Sequence, residues 1–452
     1  LEILGAILSL IFIALAATLL YKKYNATAVL IICGLMMMVS ALLIGSEVNG
    51  IKDSSSLIVF DLFDMIRQGF SIKGAEVGLM IMAIGGYVAF MDKIGASESL
   101  VYLAMKPLSI FKKSPYLAAS LVIPLGHFLS IPIPSATGLG LLLIVSVFPI
   151  LIKLGVSRVS AVSVIVATTV FDMGPASANT LLAADLVGKS NMMYFLEDQL
   201  RLAVPLIVLM SILYYFVNKH FDKKEDMEVE DEESESSKPI KPLIFAILPV
   251  FPLILLIIFS EFFTFFEPGI KLSTTTAMFL SMGVSLIFEF LYTRDGKGTL
   301  GLLSTFWQAM GKVFATVITL IIAAEIFSNG LISLGFIDFL VSTTQEFGAG
   351  AFGITALMTI LIYGASILMG SGNASFFSFG PLVPEISAKM GTDAASIILP
   401  MQLSSSLGRA VSPIAGVIIA TSEIAGVTPI QIVKRNLIPL SITLIVMILL
   451  SI

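Results

Sequence analysis

Three observations predict an all-α polytopic membrane protein built as two inverted repeats. The 452-residue chain is 57% hydrophobic, 13% charged and has a mean hydropathy of +1.01, whereas soluble domains carry roughly 25% charged residues. Many apolar runs approach the roughly 20 residues that cross a bilayer, and runs such as 437–452 lack the alternation of a barrel strand. The same order of features also occurs twice along the chain, an internal symmetry expected of secondary transporters.

The composition excludes several classes of function. A lone cysteine, Cys33, rules out an internal disulfide framework or a cysteine metal cluster, and His127 and His220 are far apart. There is no Walker sequence, nucleophile elbow or metal-binding histidine pair. The expectation is therefore no enzyme, no cofactor and no nucleic-acid partner. Residues 1–20 are apolar without a basic start, so they are expected to be a retained first span and not a signal peptide. The net charge of -5 is concentrated in 219–241, where nine acidic residues accompany five lysines. Such a segment reads as a solvated linker. It divides the chain into repeat one (1–217), a linker (218–241) and repeat two (242–452).

In repeat one the predicted spans are 3–20 and 26–44, an amphipathic outer stretch at 55–72, a third span at 77–90 and a surface helix at 96–111. A hairpin (114–154), a broken segment (159–187) interrupted at Asp172-Met-Gly-Pro175, and a last span (202–217) follow. Repeat two reads 242–259, 276–291, a surface stretch at 302–309, a span at 313–328 and a surface helix at 337–344. Its hairpin is 351–390, its broken segment 394–425 and its last span 437–452. Gly95 corresponds to Gly335, Gly155 to Gly391, Gly188 to Gly426 and Pro175 to Pro413.

The hairpins carry the strongest local signal. Ile131-Pro-Ile-Pro-Ser-Ala-Thr-Gly-Leu-Gly140 holds two prolines, two glycines and two hydroxyls between apolar runs. Proline removes a donor and glycine weakens a helix, so a regular helix should break there. Non-helical backbone at membrane depth is tolerated only inside protein or beside a water-filled cavity. Gly370-Ser-Gly-Asn-Ala-Ser375 is a second break at the corresponding place. The returning arm 141–152 spans about 18 Å at 1.5 Å per residue, well short of a core about 30 Å thick. Both hairpins are therefore expected to be re-entrant, with five crossings per repeat. Walking the chain through that topology puts eighteen of the 26 Lys and Arg on one side and seven on the other, leaving Arg409 inside. The bias predicts a cytoplasmic linker and outward-facing termini.

Two tips entering from opposite faces would meet at mid-membrane beside the broken helices. Exposed helix N-termini there favour anions, and unwound carbonyls favour a small cation. Ser135, Thr137, Ser371, Asn373 and Ser375 suit carboxylate oxygens, although small polar residues also serve helix packing. Arg409, in Ser404-Ser-Ser-Leu-Gly-Arg-Ala-Val-Ser-Pro413, offers a planar fork that matches a carboxylate, or pairs structurally with Asp172. Asp172 would take up a proton, ligate sodium, or only neutralise Arg409. His127 is read as a hydrogen-bonded packing residue, and Asp92 and Lys93 as interfacial.

At Ser135-Ala-Thr-Gly-Leu-Gly140, Gly370-Ser-Gly-Asn-Ala374 and Leu407-Gly-Arg-Ala-Val-Ser-Pro413 the chain resembles the anaerobic C4-dicarboxylate carriers of the DcuC type, within the wider ion-transporter superfamily. The similarity runs nearly end to end, including Phe148-Pro149 and Val433-Lys-Arg435. The resemblance implies a multi-pass protein of the bacterial cytoplasmic (inner) membrane that carries succinate, fumarate, malate or a similar dianion. It also implies a homodimer, with scaffold domains holding transport domains that move elevator-fashion. Carried over to this chain, the substrate site comprises Ser135, Ala136, Thr137, Gly138, Ser371, Gly372, Asn373, Ala374 and Ser375, with Arg409 and Ser412. The coupling cation would be Na+ or H+, with Asp172, Ser177, Asn179 and Ser404 as its candidate residues and no other metal. One departure matters: relatives tend to have an acidic residue where Asn179 stands and an apolar one where Asp172 stands. Alternative readings are a carrier of another organic anion or an acidic amino acid, and a channel or non-transporting membrane scaffold.

Overall fold

The computed structural model describes residues 2–51, 55, 57–111, 114–224, 241–259, 272–346 and 348–451, and every regular element among them is helical. The first half contains α1 (Glu2–Tyr21), α2 (Ala26–Leu43), α3 (Ile58–Lys73), α4 (Leu79–Lys93), α5 (Ala96–Met105) and α6 (Pro115–Ser130). It continues with α7 (Ala136–Ser146), α8 (Phe148–Lys153), α9 (Arg158–Ala167), α10 (Ala178–Val187), α11 (Asn191–Met193) and α12 (Leu200–Lys224). The second half contains α13 (Phe251–Ile258), α14 (Thr274–Thr293), α15 (Gly296–Gly301), α16 (Leu303–Val313), α17 (Thr319–Ser333) and α18 (Phe336–Glu346). It ends with α19 (Gly350–Met369), α20 (Gly372–Phe379), α21 (Val383–Met390), α22 (Ala394–Arg409), α23 (Gly416–Ala425) and α24 (Pro429–Leu450).

The three glycine pairs matched in the sequence all stand at helix ends with positive φ: 76° and 79° at Gly95 and Gly335, 86° and 65° at Gly155 and Gly391, 69° and 66° at Gly188 and Gly426. Only glycine enters that region without steric cost, which explains why these residues recur. Seven helices among the described residues are long and apolar enough to cross a membrane, and α4 with α5 passes as a pair bent by 77°.

Four expectations change. The outer stretch at 55–72 is not separate from the third span, because α3 runs into α4 through a π-helical turn, Gly74–Gly78. The second half repeats the device, joining α16 to α17 through Phe314–Ile318. Such a turn re-aims the apolar face without breaking the helix. The second hairpin's first arm, α19, has 20 residues and is itself long enough to cross, whereas α6 has 16 and α7 only 11. Finally, α12 extends past the expected boundary at 217 to Lys224, because Asp222 is drawn into the protein by Arg435 at 2.7 Å. The rest of the expected linker, 225–240, lies outside the described residues, as do Lys52, Lys112, Lys113 and Lys271.

The halves are interlocked. Helix α2 crosses α17 with backbones touching: a Cβ on Gly34 would lie 2.6 Å from the Ile326 carbonyl oxygen, and one on Gly330 would lie 2.7 Å from the Gly34 oxygen. Gly85 and Gly86 let α4 approach Val313 and Phe306 on α16 in the same way. This is the use of small residues expected where no water drives helices together. The halves are not packed identically, however. Helix α20 lies against α17, but its counterpart α7 has no comparable contact with α4 and packs on α23 instead.

Candidate functional site

Both hairpin tips end in capped helices, by different local chemistry. At the first, Pro132 and Pro134 bring no amide hydrogen and interrupt the ladder just beyond α6, whose last turn Ile131 continues with helical dihedrals (φ -65°, ψ -53°). Ser135 then caps α7, its Oγ accepting the Gly138 N–H at 3.1 Å. At the second, Gly370 turns the chain at φ 66°, and Ser371 caps α20 by accepting the Ala374 N–H at 3.2 Å. A serine cap contributes about 1 kcal/mol, and its hydroxyl hydrogen remains available to a ligand oxygen. The first two amides of each helix, on Ala136 and Thr137 and on Gly372 and Asn373, have no intrahelical partner.

These residues line one cavity of about 660 Å3, together with Pro134, Ser135, Ser371, Asp172, Arg409, Lys312 and Asp92. Ala178, at the start of α10, and Gly416 and Val417, at the start of α23, line it too. Ser177 caps α10, but Ala415 leaves α23 without a side-chain cap. Four helix N-termini therefore open on one space, each presenting a partial positive charge. Arg409 and Lys312 add two full positive charges against Asp172 and Asp92. The space is well suited to a small anion.

Arg409 ends α22, and its Nη2 donates to the Thr169 carbonyl at 2.5 Å. Its buried Nε has no hydrogen-bond partner among the described residues. No ion pair with Asp172, the alternative use of Arg409, forms among those residues. Asp172 instead accepts from Asn179 Nδ2 at 3.0 Å. The two are seven residues apart, and because 168–177 is not helical the chain between α9 and α10 brings their side chains together. The break is fixed from the other half: Gln402 Nε2 donates to the Asp172 carbonyl at 3.0 Å, and Tyr194 donates to Gln402 Oε1 at 3.0 Å. Gln199 Oε1 accepts the Gly174 N–H at 3.0 Å.

Other expected site residues stand behind the cavity surface. Gly138 and Ala374 provide the capped amides. Ser375 hydrogen-bonds Ser366 and the Gly372 carbonyl, and Ser404 donates to Met401. Ser412 donates to the Ile367 carbonyl at 2.7 Å, tying the second break to α19. Ser177 caps α10. His127 is buried, its Nδ1 2.8 Å from the Ile123 carbonyl and its ring against Phe171, as a packing residue should be. Asp92, read from the sequence as interfacial, and Lys312, one of the basic residues in the charge count, line the cavity. Arg435, counted among the basic residues of one membrane side, is buried with Asp222. Only the packing of α4 against α16 across the cavity from the tips reveals the first two, and no local signal marks them.

Residues 4–452 match the family of C4-dicarboxylate anaerobic carriers, DcuC. The chain belongs to that family. It is 31% identical over 429 residues to the DcuC relative of Vibrio cholerae, covering 94% of this chain and 93% of that one. It is 30% identical over 443 residues to the anaerobic C4-dicarboxylate transporter DcuC of Escherichia coli K12, covering 98% and 95%. The family is one of carriers and not of enzymes, and the chain is a multi-pass membrane protein. Its fold is similar to that of Neisseria gonorrhoeae MtrF, with a TM-score of 0.62 at 12% identity over 95% of this chain and 94% of that one. The Alcanivorax borkumensis YdaH transporter gives a TM-score of 0.61 at 12% identity over 95% and 97%.

Proposed function

We propose that this chain is a secondary active carrier of C4-dicarboxylates such as succinate, fumarate and malate. The observation that carries the reading is the convergence of four helix N-termini and Arg409 on one cavity of about 660 Å3. A dianion offers two carboxylates to such a site. One would meet the Arg409 fork and the other the tip amides and hydroxyls of Ser135, Thr137, Ser371 and Asn373. Gly138, Ala374, Ser375 and Ser412 would hold the tips in shape.

The two halves act as inverted repeats, and the transport is alternating access of the elevator type. The hairpins, the broken helices and α12 and α24 move as a transport domain past a scaffold made from α1–α4 and α13–α17, within a homodimer. The carrier is assigned to the bacterial inner membrane with outward termini and a cytoplasmic linker, following the Lys and Arg bias. Coupling to Na+ or H+ centres on Asp172 with Asn179 and Ser177, and Ser404 supports α22 behind them. A carboxylate beside an amide oxygen and unwound carbonyls suits either cation.

Succinate and fumarate binding to Thr137→Ala, Asn373→Ala and Arg409→Ala tests the site. Unchanged affinity in all three, in folded protein, would refute it. Uptake into liposomes under separately imposed sodium and proton gradients identifies the coupling ion. Counterflow of labelled succinate separates a carrier from a channel, and a competition panel with other organic anions and acidic amino acids tests substrate class.

A further inference from the structure

The two halves share an element order but not a conformation, and the difference falls on a pair of charges. Lys73 ends α3 immediately before the first π turn. It pairs with Asp185, in the last turn of α10, at 2.6 Å, with both side chains about a quarter exposed. The offset that relates Gly188 to Gly426 carries Asp185 onto Glu423, in the last turn of α23. The two π turns likewise carry Lys73 onto Val313, adjacent to Lys312. Lys312 and Glu423 are exposed, and neither has an ion pair among the described residues. Lys312 also lines the open cavity. Of two equivalent places in the fold, one is joined by an ion pair and the other stands open.

We propose that Lys312 and Glu423 are the second half of a reciprocal gate. They pair when the cavity closes on their side, and Lys73 and Asp185 then part. The inference rests on the inverted-repeat, alternating-access reading above. In an inverted pair of repeats, the opposite state is reached when each half adopts the other's conformation. A contact made by one half and missing from the other therefore marks a place that closes next. The helix contacts follow the same rule, since α20 lies on α17 while α7 stands off α4. Lys312 falls one residue short of register, a difference that its long flexible side chain bridges. A partly exposed ion pair is a weak, salt-screened restraint. Two of equal kind on opposite faces hold neither state permanently.

The test uses full-length protein in proteoliposomes with Cys33→Ser as background. Three variants are made: Lys73→Cys with Asp185→Cys, Lys312→Cys with Glu423→Cys, and all four together. A short bifunctional maleimide should cross-link each pair and abolish uptake. In the four-cysteine protein it should form either link but never both in one molecule. Absence of a 312–423 link, or both links in one molecule, would overturn the gate. Thr137→Cys, labelled by an impermeant thiol reagent from each face, separates the two ideas. Labelling from both faces without a 312–423 link removes the gate and leaves the carrier mechanism standing. Labelling from one face alone, again without that link, removes both. As a second readout, uptake lost in Glu423→Lys should return with Lys312→Glu. Rescue by Arg158→Glu instead, the arginine that donates to the Ala425 carbonyl at 3.2 Å, would also overturn the assignment.

Discussion

Replacing Arg409 with lysine keeps the charge and removes the fork, so it isolates what the guanidinium contributes. In the structure one amino group is spent on the Thr169 carbonyl, and the Nε is buried and unpaired beside the cavity that Arg409 lines. A lysine would retain one of these functions at a time. Losing one hydrogen bond between charged groups costs about 1.5–3 kcal/mol. At about 1.4 kcal/mol per factor of ten, succinate affinity should fall about 10- to 150-fold. Losing the Thr169 bond, which the same charged guanidinium donates, would cost a similar amount, about 1.5–3 kcal/mol, but in stability and not in affinity. Equilibrium binding of labelled succinate to purified Arg409→Lys, with a thermal melt in the same detergent, separates the two effects. A lowered melting temperature with unchanged affinity would show that Arg409 only braces the break at 168–177, and the site assignment would fail.

Three further outcomes follow from the geometry. Gly372→Ala would place a Cβ 3.1 Å from the Ser405 carbonyl oxygen; overpacking of about 1 kcal/mol or more should shift the tip and weaken binding about fivefold. Gly364→Ala, with nothing within 4 Å of its Cβ, should leave uptake unchanged, and equal effects of the two would contradict the account of the tip. Asp172→Asn should abolish the dependence of uptake on the driving cation. Because Asn179 Nδ2 lies 3.0 Å from the Asp172 carboxylate, adding Asn179→Asp should restore that dependence, and failure of the pair would place coupling elsewhere. Arg435→Ala strands Asp222, which also accepts from Ser157 and Ser160 at 2.8 and 2.7 Å. It should cost about 3–5 kcal/mol, read as a lowered melting temperature that Asp222→Leu partly recovers.

What the sequence made legible was chemistry that acts locally. Pro132 and Pro134, two residues apart, remove two amide donors just where α6 ends, Ser135 and Ser371 precede the amides they cap, and the paired glycines mark turns that no other residue adopts cheaply. Contacts made across the halves were not legible. Thr169 as the partner of Arg409, and Gln402 as the brace of the Asp172 backbone, join residues 240 and 230 positions apart. Lys312 looked like one more basic residue in a charge count, because its position on the cavity depends on how closely α16 meets α4. The π turns were hidden for a different reason: a one-residue bulge leaves hydrophobic periodicity almost intact over any short window.

The crossing of α2 with α17 also constrains how the protein is made. Its two surfaces, tied near one end by the Thr27–Thr319 contact, are 292 residues apart in the chain. At about 5–20 residues per second, α2 waits about 15–60 s in the bilayer before its partner is synthesised. Until then the groove at Gly34, shaped for another backbone, faces lipid or a neighbouring chain. Assembly of the first half thus remains provisional until the second half arrives. A ribosome stalled between the halves would leave a membrane intermediate with an open helix-sized groove, a natural substrate for insertion chaperones and membrane proteases.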